Sequence, residues 1–90
     1  MITRCTIPGE VASASVEDGT VLLHLGTKRY FSLNDTGAEI WSLIEQDVPL
    51  GEIPARLTAA YDVPIADARV AVAELLAALA EQGLVSVEAE

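Results

Sequence analysis

From Val11 onward the chain alternates. Val11, Ser13 and Ser15 fall on one side and Ala12, Ala14 and Val16 on the other, the period of two that a half-buried strand requires. Thr20–Leu25 is a second strand-like run. Arg29-Tyr30-Phe31-Ser32-Leu33 is a third, alternating polar and apolar and rich in β-formers. Glu17-Asp18-Gly19 separates the first two, and Asp-Gly tolerates the positive φ of a tight hairpin. Gly26-Thr27-Lys28 turns the chain again. The pattern predicts a three-stranded antiparallel meander over residues 11–33. Residues 1–10, broken by Pro8-Gly9, read as an irregular lead-in.

After Leu33 the period changes to that of a helix. Asn34, Asp35 and Thr36 offer N-cap side chains, and Thr36 with Glu39 has the spacing of a capping box. Ile40, Trp41 and Ile44 follow at helical spacing. This first helix runs from Asp35 or Thr36 to Gln46 and stops at Asp47-Val48-Pro49, because the residue before proline avoids the α region. A second helix over Leu50–Tyr61 turns Ile53, Leu57 and Ala60 inward and carries Pro54 in its first turn, where a missing amide costs nothing. Asp62-Val63-Pro64 ends it.

The third helix, Ile65–Gln82, separates into sides at roughly 100° per residue. Ala68, Val72, Leu75, Leu76 and Leu79 form an apolar face, and Asp67, Glu74 and Glu81 an acidic ridge. Ala66, Val70, Ala73, Ala77 and Ala80 form a second, small-residue flank, which suits either close helix packing or a shallow groove that admits another backbone. Gly83 is placed to close the helix. Leu84–Val87 continues as an apolar tail, a last strand or an extended cover. Strand, cap and helix meet within Lys28–Trp41, the junction that seats the sheet on the helices. The expected architecture is α+β: a three-stranded antiparallel meander followed by three α-helices. It is winged helix-turn-helix-like in permuted order, one domain over 1–90 with its core at about 11–87.

That architecture raises DNA binding, and charge argues against it. The 90 residues carry a net charge of −9, which repels phosphate backbones. The third helix offers only Arg69 against its three acids, and the second only Arg56 against Glu52; no nucleic-acid partner is expected. The single cysteine, Cys5, excludes a disulfide framework and leaves too few soft ligands for a structural zinc. His24 stands alone in the second strand without a base–orienter pair, and no Gly-rich phosphate loop, H-E-x-x-H or G-x-S-x-G occurs. No catalytic, cofactor-binding or metal residue is assigned. Neither a signal peptide nor an apolar run of ~18 residues is present, so the expected setting is the cytoplasm, with no membrane partner.

The run L-L-H-L-G-T-K-R-Y-F-S-L-N-D-T-G-A-E-I-W-S-L-I resembles the signature of PqqD-like proteins. Later, G-E-I-P-A-R-L-T-A-A-Y and L-L-A-A-L-A-E-Q-G-L-V resemble that family's second and third helices, so the likeness spans about residues 11–87. It implies a non-enzymatic recognition element that grips the leader segment of a ribosomally synthesised precursor peptide and presents it to a processing enzyme. Read as a free-standing chain, short, Ala/Val-rich and acidic, it resembles the lasso-peptide version, whose partner is a separate cysteine leader peptidase. The alternatives are a PQQ-type peptide chaperone for a radical enzyme, or an acidic winged-helix interaction or regulatory module. In the family the leader lies between the third strand and third helix. Here those positions are Lys28, Arg29, Tyr30, Phe31, Ser32 and Leu33 on the strand, and Ala66, Arg69, Val70, Ala73 and Ala77 on the helix, bordered by Asp67 and Glu74. Peptide addition to an open sheet edge supplies affinity through backbone hydrogen bonds.

Overall fold

The alternation over residues 11–33 folds as read. The computed structural model describes residues 2–89, with side chains over 5–87. Its elements are β1 (Ile2–Thr6), β2 (Val11–Val16), β3 (Gly19–His24), β4 (Tyr30–Leu33), α1 (Asp35–Glu45), a 3-10 turn (Leu50–Glu52), α2 (Ile53–Tyr61), α3 (Ile65–Glu81) and β5 (Ser86–Ala89). Strands β2, β3 and β4 form an antiparallel sheet in that order, with Val11 opposite His24 and Leu22 opposite Phe31. Both predicted strand ends are trimmed by one residue: β3 stops at His24, and β4 starts at Tyr30. Between them Lys28 adopts φ 65°. The imidazole Nδ1 of His24 accepts from the amides of Gly26 and Thr27, both at 3.1 Å, which gives that lone histidine a turn-holding role.

The lead-in is irregular only over residues 7–10; residues 2–6 are a strand. β1 pairs antiparallel with β5 in a second, two-stranded sheet, Cys5 facing Val87 and Thr6 facing Ser86. A short segment whose partner lies at the far end of the chain leaves no local signature, which is why the pattern misses it. The same pairing makes the C-terminal tail a strand. Cys5 and Ile7 pack against the buried residues of both core clusters, so the packed chain begins upstream of residue 11.

The β2–β3 hairpin closes at the Val16–Gly19 pair, leaving Glu17 and Asp18 as the loop. Glycine is needed at 19 for a reason beyond the turn. Its φ is 148°, and a Cβ there would overlap the carbonyl oxygen of Leu33 at the end of β4. At the start of α1 the expected Thr36–Glu39 capping box does not form. Asn34 is the N-cap, its Oδ1 accepting from the Gly37 amide at 2.8 Å, and Thr36 lies inside the first turn. Asparagine caps at least as well as threonine and stands directly after β4, so the helix starts one cap earlier.

The end of α1 is set by a left-handed residue rather than by Pro49. Asp47 has φ 59°. Its amide donates to Ile44 at 3.0 Å and that of Val48 to Leu43 at 3.1 Å, the paired bonds of a Schellman motif. Gly83, φ 73°, closes α3 in the same way, with Gly83 donating to Ala80 at 3.1 Å and Leu84 to Leu79 at 2.9 Å. The second helix begins as the 3-10 turn and becomes α-helical only at Ile53. Ile53 and Leu57 are buried as expected, but Ala60 is exposed.

Two buried clusters meet at α1. Ile40, Leu43 and Ile44 join Ile53 and Leu57 of α2 and Ala68, Val72 and Leu76 of α3. Trp41 joins Leu22, Leu33, Leu79, Leu84 and Val85, binding the sheet to the helices. No polar or charged residue is buried among the described residues.

Replacing Gly19 by alanine should lower stability by about 3 kcal/mol or more, combining backbone strain with a clash against fixed main chain. Asp47→Gly should instead raise it by about 0.5–1 kcal/mol, because glycine adopts the left-handed cap without penalty. Thermal and urea melts of the two variants check both signs.

Candidate functional site

The site is built on an unpaired edge. β4 is the outermost strand of its sheet. The amide of His24 donates to the carbonyl of Arg29 at 2.9 Å, which sets the parity of the β3–β4 ladder. With Leu22 opposite Phe31 and Thr20 opposite Leu33, Phe31 and Leu33 turn their amides and carbonyls toward β3. Tyr30 and Ser32 therefore turn theirs outward. Side chains alternate with the same period: Leu33 is buried, Phe31 is half-buried against the sheet–helix cluster, Ser32 is exposed, and Tyr30 is 75% exposed.

Where β4 runs into α1, a cleft of about 310 Å³ opens between the start of α1 and α3. Asn34, Gly37 and Ile40 line one wall, and Ala71, Glu74 and Leu75 the other. The outward edge of β4 and this cleft follow one another along the chain, since Asn34 is the residue after Leu33. Together they offer main-chain hydrogen bonds beside a side-chain pocket, the two parts that strand-addition sites use.

The expected residues divide. Lys28 and Arg29 are exposed on the β3–β4 loop, where the Arg29 amide donates to Thr27 Oγ1 at 3.3 Å. Tyr30 and Ser32 present the free edge, while Phe31 and Leu33 face inward. On α3, Ala66, Asp67, Arg69, Val70, Ala73, Glu74 and Ala77 are all exposed, so the small-residue flank does not serve helix packing; only Ala80 of that flank is half-buried. Of these residues Glu74 alone lines the cleft. At roughly 100° per residue Asp67 shares its stripe, Val70 and Ala77 stand further out, and Ala66 and Ala73 lie further round still. Ala71 and Leu75, which the pattern does not single out for the groove, are its α3 wall. The signal for them is their position between the core stripe and the acidic ridge. Periodicity gives α3 two flanks and does not say which of them meets β4.

Burial pushes the Cys5 thiol above its usual pKa, the direction opposite to an activated nucleophile. Among the described residues no group of three or more His, Cys, Asp or Glu side chains gathers that would hold a metal ion, and no helix is long and apolar enough to cross a membrane.

A family model described as coenzyme PQQ synthesis protein D (PqqD) matches residues 19–85. The chain belongs to the PqqD family. No match is found among curated proteins. Two solved structures are similar over nearly their whole length. One is described as TbiB1 in complex with the TbiA(beta) leader peptide: 36% identity, TM-score 0.86, covering 94% of this chain and 99% of that one. The other is described as lasso peptide synthetase B1 complexed with the leader peptide: 29% identity, TM-score 0.83, covering 91% and 96%. This PqqD-family fold thus coincides with that of proteins solved with leader peptides bound.

The parity of β4 yields a test of the edge itself. Ser32→Pro removes an outward amide and should change stability by less than about 1 kcal/mol, whereas Phe31→Pro removes a ladder bond and should cost about 3 kcal/mol or more. Thermal melts of the two neighbours should differ sharply; a larger loss in Ser32→Pro than in Phe31→Pro would mean that the ladder has the opposite parity.

Proposed function

We propose that this protein binds the leader segment of a ribosomally synthesised precursor peptide by adding it as a strand to β4, and presents it to a separate processing enzyme in lasso-peptide maturation. The observation that carries this reading is the free edge at Tyr30 and Ser32, followed directly by the cleft of Asn34, Ile40, Ala71 and Leu75. Likeness to two proteins solved with leader peptides supports the same reading. The leader's backbone pairs with Tyr30 and Ser32, and one of its apolar side chains enters the cleft. Glu74 and Asp67 flank the entrance and favour a basic leader residue there. Lys28 and Arg29 at the other end of β4 favour an acidic one.

In this role the protein is a positioning partner and not a catalyst. It uses no cofactor, and a cysteine leader peptidase is the enzyme that would act on the bound chain. The likeness to a protein described as lasso peptide synthetase B1 favours that partner over the radical enzyme of quinone-cofactor assembly.

The test is titration with the leader peptide encoded beside this gene. Binding tighter than about 100 μM, a contact of about 5.5 kcal/mol, is expected. Ser32→Pro should weaken it at least about ten-fold while the protein stays folded, and Ala71→Leu should cost about 1–3 kcal/mol of affinity by filling the cleft. Ala73→Leu, further round the helix, should bind as the parent does. Absence of binding at 100 μM, or full affinity in both of the first two variants, would sink the reading.

A further inference from the structure

The sheet has a second open edge, and it borders a cavity unlike the first. The Leu25 amide donates to the carbonyl of Glu10 at 2.8 Å, and the Val11 amide turns away from β3 to the Pro8 carbonyl at 3.1 Å. With Ala12 opposite Leu23 and Ala14 opposite Val21, Ser13 and Ser15 direct their amides and carbonyls outward. Their side chains lie on the α1 side of the sheet, the side of Leu22, and both line a cavity of about 410 Å³ between the β2–β3 hairpin and α1. That volume is within the range of ligand sites.

The cavity is strongly acidic. Glu17 of the hairpin and Asp35, Glu39 and Glu45 of α1 line it, and no lysine or arginine does. Asp35 and Glu39 are one turn apart, where their like charges repel, although Asp35 itself lies in the first turn, the end of α1 that favours a carboxylate. Glu45 sits in the last turn of α1, where a carboxylate opposes the helix dipole. The fold tolerates these unfavourable placements without any internal cation at the cavity. The second observation is Trp41. It is only 2% exposed, it is among the residues that line this cavity, and its Nε1–H has no acceptor, which leaves a buried donor unsatisfied.

We infer that this concavity is a second docking site, for an extended basic segment of a partner protein laid along β2. Its backbone pairs with Ser13 and Ser15, which gives room for about three residues at ~3.4 Å each. Its arginine or lysine side chains, on alternate positions, meet the α1 carboxylates. Tyr61 at the rim, 40% exposed, offers a ring face to a guanidinium. A small shift of the indole toward the segment's carbonyls gives Trp41 Nε1–H, closed off in the free protein, its acceptor. A metal ion does not fit, because the carboxylates are spread along a helix and no three of them converge. The site is separate from the leader edge, at the opposite edge of the same sheet.

Amide and indole NMR shifts of the full chain test this, with Ac-Thr-Arg-Thr-Arg-Thr-NH2 as probe and the Thr-Gln-Thr-Gln-Thr counterpart and spermidine as controls. The arginine peptide should shift Ser13, Ser15 and the Trp41 indole and bind at least about ten-fold tighter than the glutamine peptide at low salt. The Glu39→Gln/Glu45→Gln double variant should weaken it by about three- to ten-fold, with the gap closing at high salt. Ser15→Pro, which removes an outward amide, should abolish the edge shifts. Leader-peptide affinity should be unchanged in both variants, so failure here and failure of the leader reading remain distinguishable. Equal binding of the glutamine peptide, equal effects of spermidine, or shifts confined to Tyr30 and Ser32 would each overturn the proposal.

Discussion

The structure depends on α1 being buried on two sides at once. Ile40, Leu43 and Ile44 pack into the helical cluster while Trp41 packs into the cluster that holds Leu22 and Leu33 of the sheet. A three-stranded sheet has too little core of its own to be stable, and in a chain this small one helix must serve as the common wall. The Asn34 cap makes the junction abrupt, so that β4 and α1 share a corner without a linker. The same corner explains Gly19, whose missing side chain lets the β2–β3 hairpin lie against the end of β4.

This economy leaves edges uncovered. β1 and β5 pair with each other and form a separate two-stranded sheet. Of the larger sheet only β3 is bonded on both sides, so β2 and β4 each keep a row of free main-chain groups. Such edges invite association between copies, and the net charge of −9 opposes it. Geometrically the two edges are alike, but their electrical surroundings differ. Lys28 and Arg29 precede β4, while Glu17 and the carboxylates of α1 surround the outer side of β2. Two edges of one sheet can therefore select different chains through side-chain charge, while the backbone pairing they offer is the same.

Much of this was legible from residues alone. Period two over 11–33 and period 3.6 thereafter follow from where successive side chains point, and turn and cap residues mark the changes. They fixed the meander, the three helices, the Gly83 cap, and the apolar residues of α1 and α3 that are buried. The residues that carry the resemblance to PqqD-like proteins, Tyr30-Phe31-Ser32-Leu33-Asn34 above all, were enough to place the chain in its family. Only the tertiary structure decided the rest. Pairing of β1 with β5 depends on closing nearly the whole chain into a loop, which no local pattern encodes. Asn34 prevailed over Thr36 as cap because β4 ends where it does. Which amides of β4 and β2 face outward follows from the register with β3, since a shift of one residue would exchange them. And the α3 wall of the cleft is Ala71, Glu74 and Leu75 rather than the Ala73 and Ala77 side, because the packing of α3 on α2 and into the shared helical cluster, and not the helical period, chooses which flank faces the start of α1.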